Sequence, residues 1–225
     1  MVILGISASG REVERDGKGT LLKGVTEEFV KYILENSGVP HEYISLNGKN
    51  ILGCQGCLKC AGDNVCRLED DWAEIRDQMI SAEALVFGAP VYYGAINALG
   101  HAFLERLFSL RHRASFALAG KLNVIVTAGT SEPNPAEEYI QRAFRSNYMA
   151  EPVGRLRVRG VSQCYTCGYG KDCAAGGVVA RHGFLEEIKG YHVTRIPAVA
   201  YKNAEVIAKR LGTIINTKRK SQEKT

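Results

Sequence analysis

Short unbroken apolar runs alternate with stretches of three-to-four periodicity along most of this chain. Residues 2–6, Val-Ile-Leu-Gly-Ile, carry no polar alternation, the pattern of a strand covered on both faces. Leu21, Leu22, Val25, Phe29, Ile33 and Leu34 recur at helical spacing and predict a helix over about 20–36. Ser37-Gly38 ends it and Pro40 follows. A second strand fits 41–46. Asp70-Asp71 opens a helix to about Ile80, with acids at its positive end. Residues 84–87 predict a third buried strand and about 95–110 a helix. Residues 122–126 predict a fourth strand, and 135 to about 148 another helix. Residues 155–161 alternate basic and apolar positions, as an edge strand does. A final helix fits about 203–215. This alternation implies an α/β fold, a doubly wound parallel sheet with right-handed crossovers. With no repeats and no linker, it reads as one domain over 1–217 and a basic, disordered tail over 218–225.

Composition narrows the class. The chain has 225 residues, 45% hydrophobic and 24% charged, so a sizeable core is available and wholesale disorder is excluded. The net charge is +5, much of it from Lys218, Arg219, Lys220 and Lys224 against Glu223. A basic tail of this kind reads as a solvated segment, so no nucleic-acid partner is expected. The longest uncharged stretch, 84–100, is interrupted by Gly88, Pro90 and Gly94, and reads as strand, turn and helix start, not a membrane span. The start, MVILGISAS, lacks a basic leader, which leads us to expect a cytoplasmic protein. Seven cysteines, an odd number, then suggest thiols kept for metal or redox chemistry instead of a disulfide framework.

Ligands of open parallel sheets bind beyond the carboxyl ends of the strands. Three loops leave such ends. Ser7-Ala8-Ser9-Gly10-Arg11 runs through a charged loop to Gly19-Thr20, offering hydroxyls, a guanidinium and a helix N-terminus for an anion. Neither G-x-G-x-x-G nor a Walker loop is present here. Gly88-Ala89-Pro90-Val91-Tyr92-Tyr93-Gly94 is a sharp turn with two aromatic rings, suited to the edge of a planar heterocycle. Thr127-Ala128-Gly129-Thr130-Ser131 has small residues that admit close backbone approach. The bland readings of the first two are a polar surface loop with an N-cap Thr and an ordinary strand-to-helix turn with one Tyr packed in the core.

The sharpest motif is Cys54-x2-Cys57-x2-Cys60-x5-Cys66. Its C-x2-C-x2-C run matches the ferredoxin pattern for one cubane, and Gly53, Gly56 and Gly62 supply turns. Structural zinc usually pairs two knuckles across a longer loop; zinc and plain buried thiols remain the alternatives. A second group, Cys164-x2-Cys167-x5-Cys173, falls one short of a tetrahedral site. Unligated thiols packed near the first cluster or across an interface rank first there. A metal site completed by His182 or Asp172, or by a cluster with one open iron, and a Cys164–Cys167 thiol–disulfide pair stand behind that reading. The histidines at 41, 101, 112, 182 and 192 are scattered, and no Ser-His-Asp or H-E-x-x-H pattern accompanies them.

The three loops, over residues 1–150, resemble those of the flavodoxin-like FMN reductases. That resemblance implies a five-stranded parallel sheet of order 2-1-3-4-5 with FMN at the strand ends. Carried over, Ser7, Ser9, Arg11 and Thr20 would hold the phosphate. Pro90, Tyr92, Tyr93 and Gly94 would border the isoalloxazine, with Ala128 and Gly129 opposite. Relatives usually have Pro where this chain has Gly10, and a shorter loop to the helix. With the compact cysteine motif after strand two, and Asp70-Asp71 just beyond it, the chain resembles the iron–sulfur flavoproteins. In them the motif, here Cys54, Cys57, Cys60 and Cys66, binds a [4Fe–4S] cluster. The resemblance implies a homo-oligomer, dimer or tetramer, with the cluster near the FMN of another subunit. The leading expectation is an electron-transfer oxidoreductase fed by a ferredoxin-like carrier or NAD(P)H, with a small-molecule or protein acceptor. Its rivals are an NAD(P)H-dependent FMN or quinone reductase with a structural or zinc-bound cysteine loop, and a non-enzymatic redox sensor.

Overall fold

The computed structural model describes residues 2–113, 115–129 and 135–222. In chain order the elements are β1 (Ile3–Ser7), β2 (Glu14–Arg15), β3 (Leu21–Lys23), α1 (Val25–Glu35), β4 (His41–Ser45), α2 (Trp72–Ser81), β5 (Ala84–Tyr92), β6 (Ala95–Ile96), α3 (Ala98–Arg106), β7 (Leu122–Gly129), α4 (Pro135–Ser146), β8 (Gly154–Arg159), α5 (Gly177–His182) and α6 (Ala198–Gln222). The main strands pair in parallel in the order β4-β1-β5-β7-β8, with Ile3 opposite both His41 and Ala84. Counting these five strands along the chain, the order is the 2-1-3-4-5 expected. β6 folds back antiparallel on the end of β5. The hairpin β2–β3 stands apart from the sheet.

Strand alternation feeds two helical layers. Leu4, Ile6, Leu85, Phe87 and Ile125 face the layer of α2, α3 and α4. Ile3, Ala84, Val86, Val124 and Val126 face α1 and α6. Both sides being apolar explains the unbroken runs in the sequence. On the α1 side, Gly88 interrupts the larger side chains: a Cβ there would stand 2.5 Å from Val30 and 2.8 Å from Thr26. Its absence lets the first turn of α1 settle against the end of β5.

Several boundaries differ from the sequence expectations. α1 begins at Val25 and not near residue 20, because Gly24 takes a left-handed conformation (φ 79°) against the backbone of Glu12 and Val13. Leu21 lies in β3, where its core packing mimics helical spacing. The third main strand runs on to Tyr92, Pro90 pairing with Ala128 of β7. The residues 218–222, expected to be disordered, continue α6 instead. Thr213, Thr217 and Ser221 each donate to the carbonyl four residues back, and Arg219 pairs with Glu83 at 2.7 Å. Residues 223–225 lie outside the described residues. Among the described residues no helix is long and apolar enough to cross a membrane.

Candidate functional site

A cleft of about 270 Å³ opens at the carboxyl ends of β1, β5, β7 and β8. Its first wall is the loop after β1 and the start of α1. Ser9 Oγ donates to Arg11 O (2.9 Å) and accepts from Arg11 N (3.2 Å), folding the loop so that both residues line the cleft. Ser7 is fully buried; its Oγ accepts from Ser9 N at 3.2 Å, so it shapes this loop from behind. Lys23, Gly24, Val25 and Thr26 complete the wall. The first-turn N–H groups of a helix lack intrahelical partners, and beside Arg11 and Lys23 they form an anion cradle.

Thr20 is a correction. It sits in the β2–β3 turn, its N–H bonded to Asp16 Oδ1 (2.8 Å), away from the cleft. The lengthened loop moves the helix start, and Thr26 in the first turn of α1 lines the cleft. Pro90, Val91 and Tyr92 form the second wall. Tyr93 (φ 53°) and Gly94 (φ 79°) turn β5 into β6, with Tyr93 wholly exposed and outside the cleft lining. Ala128 and Gly129 form the third wall; Thr130 and Ser131 lie outside the described residues. The fourth wall, Gly160 to Gln163, escaped the sequence reading because that segment lacks periodicity. So did Asn97, which donates to Ala8 O (2.6 Å) while accepting from Gly100 N (3.2 Å), locking α3 to the loop after β1. Its signal was the N-cap Asn before an apolar helix. His101 lies against Tyr139, the rings tilted by 50° with centroids 4.6 Å apart.

The first cysteine motif follows β4 and rests against the C-terminal end of α3, where Cys54 N donates to Glu105 Oε2 at 3.1 Å. Cys54, Cys57, Cys60 and Cys66 line one cavity of about 20 Å³. Left-handed turns at Gly56 (φ 63°), Leu58 (φ 57°) and Asn64 (φ 61°) curl the loop around it. Cys60 is buried, and Cys54 and Cys57 lie exposed at the rim. Burial, reinforced by Cys66, Cys54 and Cys57, pushes the Cys60 thiol above its ordinary value. Cys60 Sγ and His112 Nε2 lie 3.2 Å apart.

Arg106 lines the same cavity and is 1% exposed. Its Nη1 donates to Leu52 O (2.9 Å) and pairs with Asp70, and its Nη2 donates to Asp70 Oδ1 (3.1 Å). Burial works against the Asp70 carboxylate. The bonds from Arg106, Leu52 and Trp72 outweigh it and hold the carboxyl below its usual range. Arg106 Nε is a buried donor without a hydrogen-bond partner on the wall of this cavity, with Cys66 alongside the guanidinium. Among the described residues no three Cys, His, Asp or Glu side chains are placed to hold a single metal ion. The donor set fits an anionic, sulfur-rich centre better: four thiols around one cavity, two of them exposed at its rim, and one unsatisfied cationic donor.

Comparison with known proteins agrees with this frame. The NADPH-dependent FMN reductase family matches residues 1–153. An iron–sulfur flavoprotein of Methanocaldococcus jannaschii is 34% identical over 142 residues, covering 63% of this chain and 69% of its own. One of Methanosarcina thermophila is 30% identical over 141 residues, covering 63% and 70%. Among solved structures, an azoreductase of Bacillus anthracis shares 13% identity with a TM-score of 0.56, covering 93% of this chain and all of its own. A Streptococcus pneumoniae flavodoxin shares 14% identity with a TM-score of 0.50, covering 95% and 99%. These two speak for the fold alone. The family match and the two relatives go further: this chain is a flavin oxidoreductase of the NADPH-dependent FMN reductase family and belongs to its iron–sulfur flavoproteins.

Proposed function

We propose that the chain carries FMN in the cleft and a [4Fe–4S] cluster on Cys54, Cys57, Cys60 and Cys66. It passes electrons between a ferredoxin-like carrier or NAD(P)H and a small-molecule or protein acceptor. FMN exchanges one or two electrons and a cubane passes one, so together they join two-electron donors to one-electron carriers. Ser9, Arg11, Lys23 and the first turn of α1 would bind the phosphate. Pro90 to Tyr92 and Ala128-Gly129 would flank the ring from two sides, with Gly160 to Gln163 closing the far wall. Tyr93 and Gly94 shape the mouth through the β5–β6 turn. Arg106 would face the cluster's negative charge from the buried side, held there by Asp70. A homo-oligomer bringing cluster and flavin of different subunits together belongs to the same reading.

The observation that carries this reading is the convergence of all four motif cysteines on one cavity whose buried wall holds an unsatisfied guanidinium N–H. The test is the visible spectrum of anaerobically purified protein, with iron, sulfide, zinc and FMN assayed on the same sample. The expected result is a broad cluster band under flavin peaks, with about four irons per chain. Flavin without iron under strict anaerobiosis would sink the cluster reading. It would leave a reductase whose cysteine loop is structural, or zinc-bound if zinc is found.

A further inference from the structure

The second cysteine group begins where the flavin cleft ends. Ser162 and Gln163 are cleft wall, and Cys164 is the next residue. The segment packs on Leu22 and Val161 through Tyr165 and Val178. That sets it beside the cleft, on the edge of the sheet formed by β8.

Its backbone is arranged around sulfur. Cys164 Sγ accepts from Gly177 N at 3.3 Å. Cys164 N in turn bonds Ser162 Oγ at 3.3 Å. The Ser162 hydroxyl and the Gly177 N–H hold the Cys164 thiol below its ordinary range, the condition of a ready nucleophile. Cys167 Sγ accepts from Tyr169 N at 3.4 Å and lies 3.7 Å from Cys164 O, across a left-handed Gly168 (φ 87°). A 3₁₀ turn over Gln163–Tyr165, closed by Tyr165 N to Ser162 O and Thr166 N to Gln163 O, with Thr166 at φ −125°, ψ 0°, bends the chain between Cys164 and Cys167. That bend and the 3.7 Å approach of Cys167 Sγ to Cys164 O bring the two residues side by side, the proximity a disulfide needs. A Cβ at Gly170 would overlap the Cys164 carbonyl, so the loop is closed tightly behind the pair. Cys164 is half-buried and Cys167 exposed, the disposition of an inner thiol and a partner open to solvent.

We infer that Cys164 and Cys167 are a two-electron redox pair, a dithiol that closes to a disulfide and exchanges its electron pair with FMN in the adjoining cleft. The step balances: two thiols lose two electrons and two protons as the S–S bond forms, and oxidised FMN takes up both electrons and both protons. The reverse opens the disulfide. The inference rests on the FMN reading above, but the pair itself does not need FMN to exist.

Two measurements on the full-length protein test it. In the first, wild-type protein is equilibrated anaerobically in buffers of reduced and oxidised dithiothreitol, quenched in acid and alkylated. Its peptides are then weighed. The peptide holding Cys164 and Cys167 should pass from two alkylated thiols to one internal disulfide in a single two-electron transition, unchanged in Cys173→Ser and lost in Cys164→Ser and Cys167→Ser. In the second, FMN-loaded protein prepared with the disulfide closed is photoreduced with EDTA as electron donor. It should gain two alkylatable thiols per chain, and FMN-free protein under the same light should gain none. A disulfide transition without bound flavin would remove the FMN reading and the exchange, yet leave the pair. No disulfide at any dithiothreitol ratio would overturn the inference. So would zinc or iron that survives serine at Cys54, Cys57, Cys60 and Cys66 but is lost alike in the serine variants of Cys164, Cys167 and Cys173.

Discussion

Arg106 and Asp70 have almost no solvent exposure, and each depends on the other to be ionised there. Breaking such a pair strands a buried charge, so Asp70→Asn should cost about 3–5 kcal/mol at pH 7, read as a lower urea midpoint. The Asp70 carboxyl is held below its ordinary value, so its contribution is full above about pH 4, the unfolded value, and fades as pH falls through the folded one. The gap between wild type and variant should therefore narrow in acid, and a gap constant down to pH 2 would contradict the pairing. In the cleft, Arg11→Ala should weaken FMN binding by about 10- to 150-fold, the worth of a charge-assisted hydrogen bond, whereas Thr20→Ala should leave it within about twofold. Quenching of flavin fluorescence measures both. At this scale the sequence was informative where a residue type is rare in its context: Ser9, Arg11, Pro90, Ala128 and Gly129 line the cleft, and the four cysteines line the second cavity. Thr20 misled because a threonine before an apolar run reads as a helix cap, and nothing local reveals a hairpin inserted before the helix.

Helix α1 shows how an element carries the site. It reaches the cleft only because Gly88 leaves room for Thr26 and Val30. Gly88→Val should destabilise the fold by about 1–3 kcal/mol through overpacking and also weaken FMN binding, since the first turn of α1 must lift. A loss of stability with unchanged flavin affinity would show that α1 does not position the anion cradle. Main-sheet strands were legible because burial on both faces leaves unbroken apolar runs. Strand ends were not, since Gly88 to Tyr92 and Thr127 to Gly129 look like loops until their neighbours supply hydrogen bonds. The end of α6 was hidden for a related reason. Lys218, Arg219 and Lys220 read as tail, yet Arg219 finds Glu83 some 136 positions away. That pair is partly exposed, so Arg219→Ala should cost no more than about 1 kcal/mol by urea denaturation.

At the scale of the whole molecule, the sheet separates the tasks. The cleft lies at strand ends, the first cysteine loop rests against the C-terminal end of α3, and the second borders the cleft past β8. The two apolar layers that hold the sheet include no cysteine of the second group, and only Cys66 of the first packs against them. Serine at Cys54, Cys57 and Cys60 together should thus remove iron while FMN stays bound and the helical circular dichroism is kept. Loss of flavin along with iron would mean that the loop supports the cleft. This overall plan was readable from alternation of strands and helices, whereas residues 160–197, without period, gave no hint that they close one wall.

Tyr93 is held in a left-handed turn that glycine or asparagine adopts at less cost, and its ring stands entirely in water one residue beyond the cleft wall. Bred only for resistance to heat, this lineage would be expected to discard that tyrosine early. Bred for turnover, it would be expected to keep it late, and the order of those losses would reveal what the ring is for.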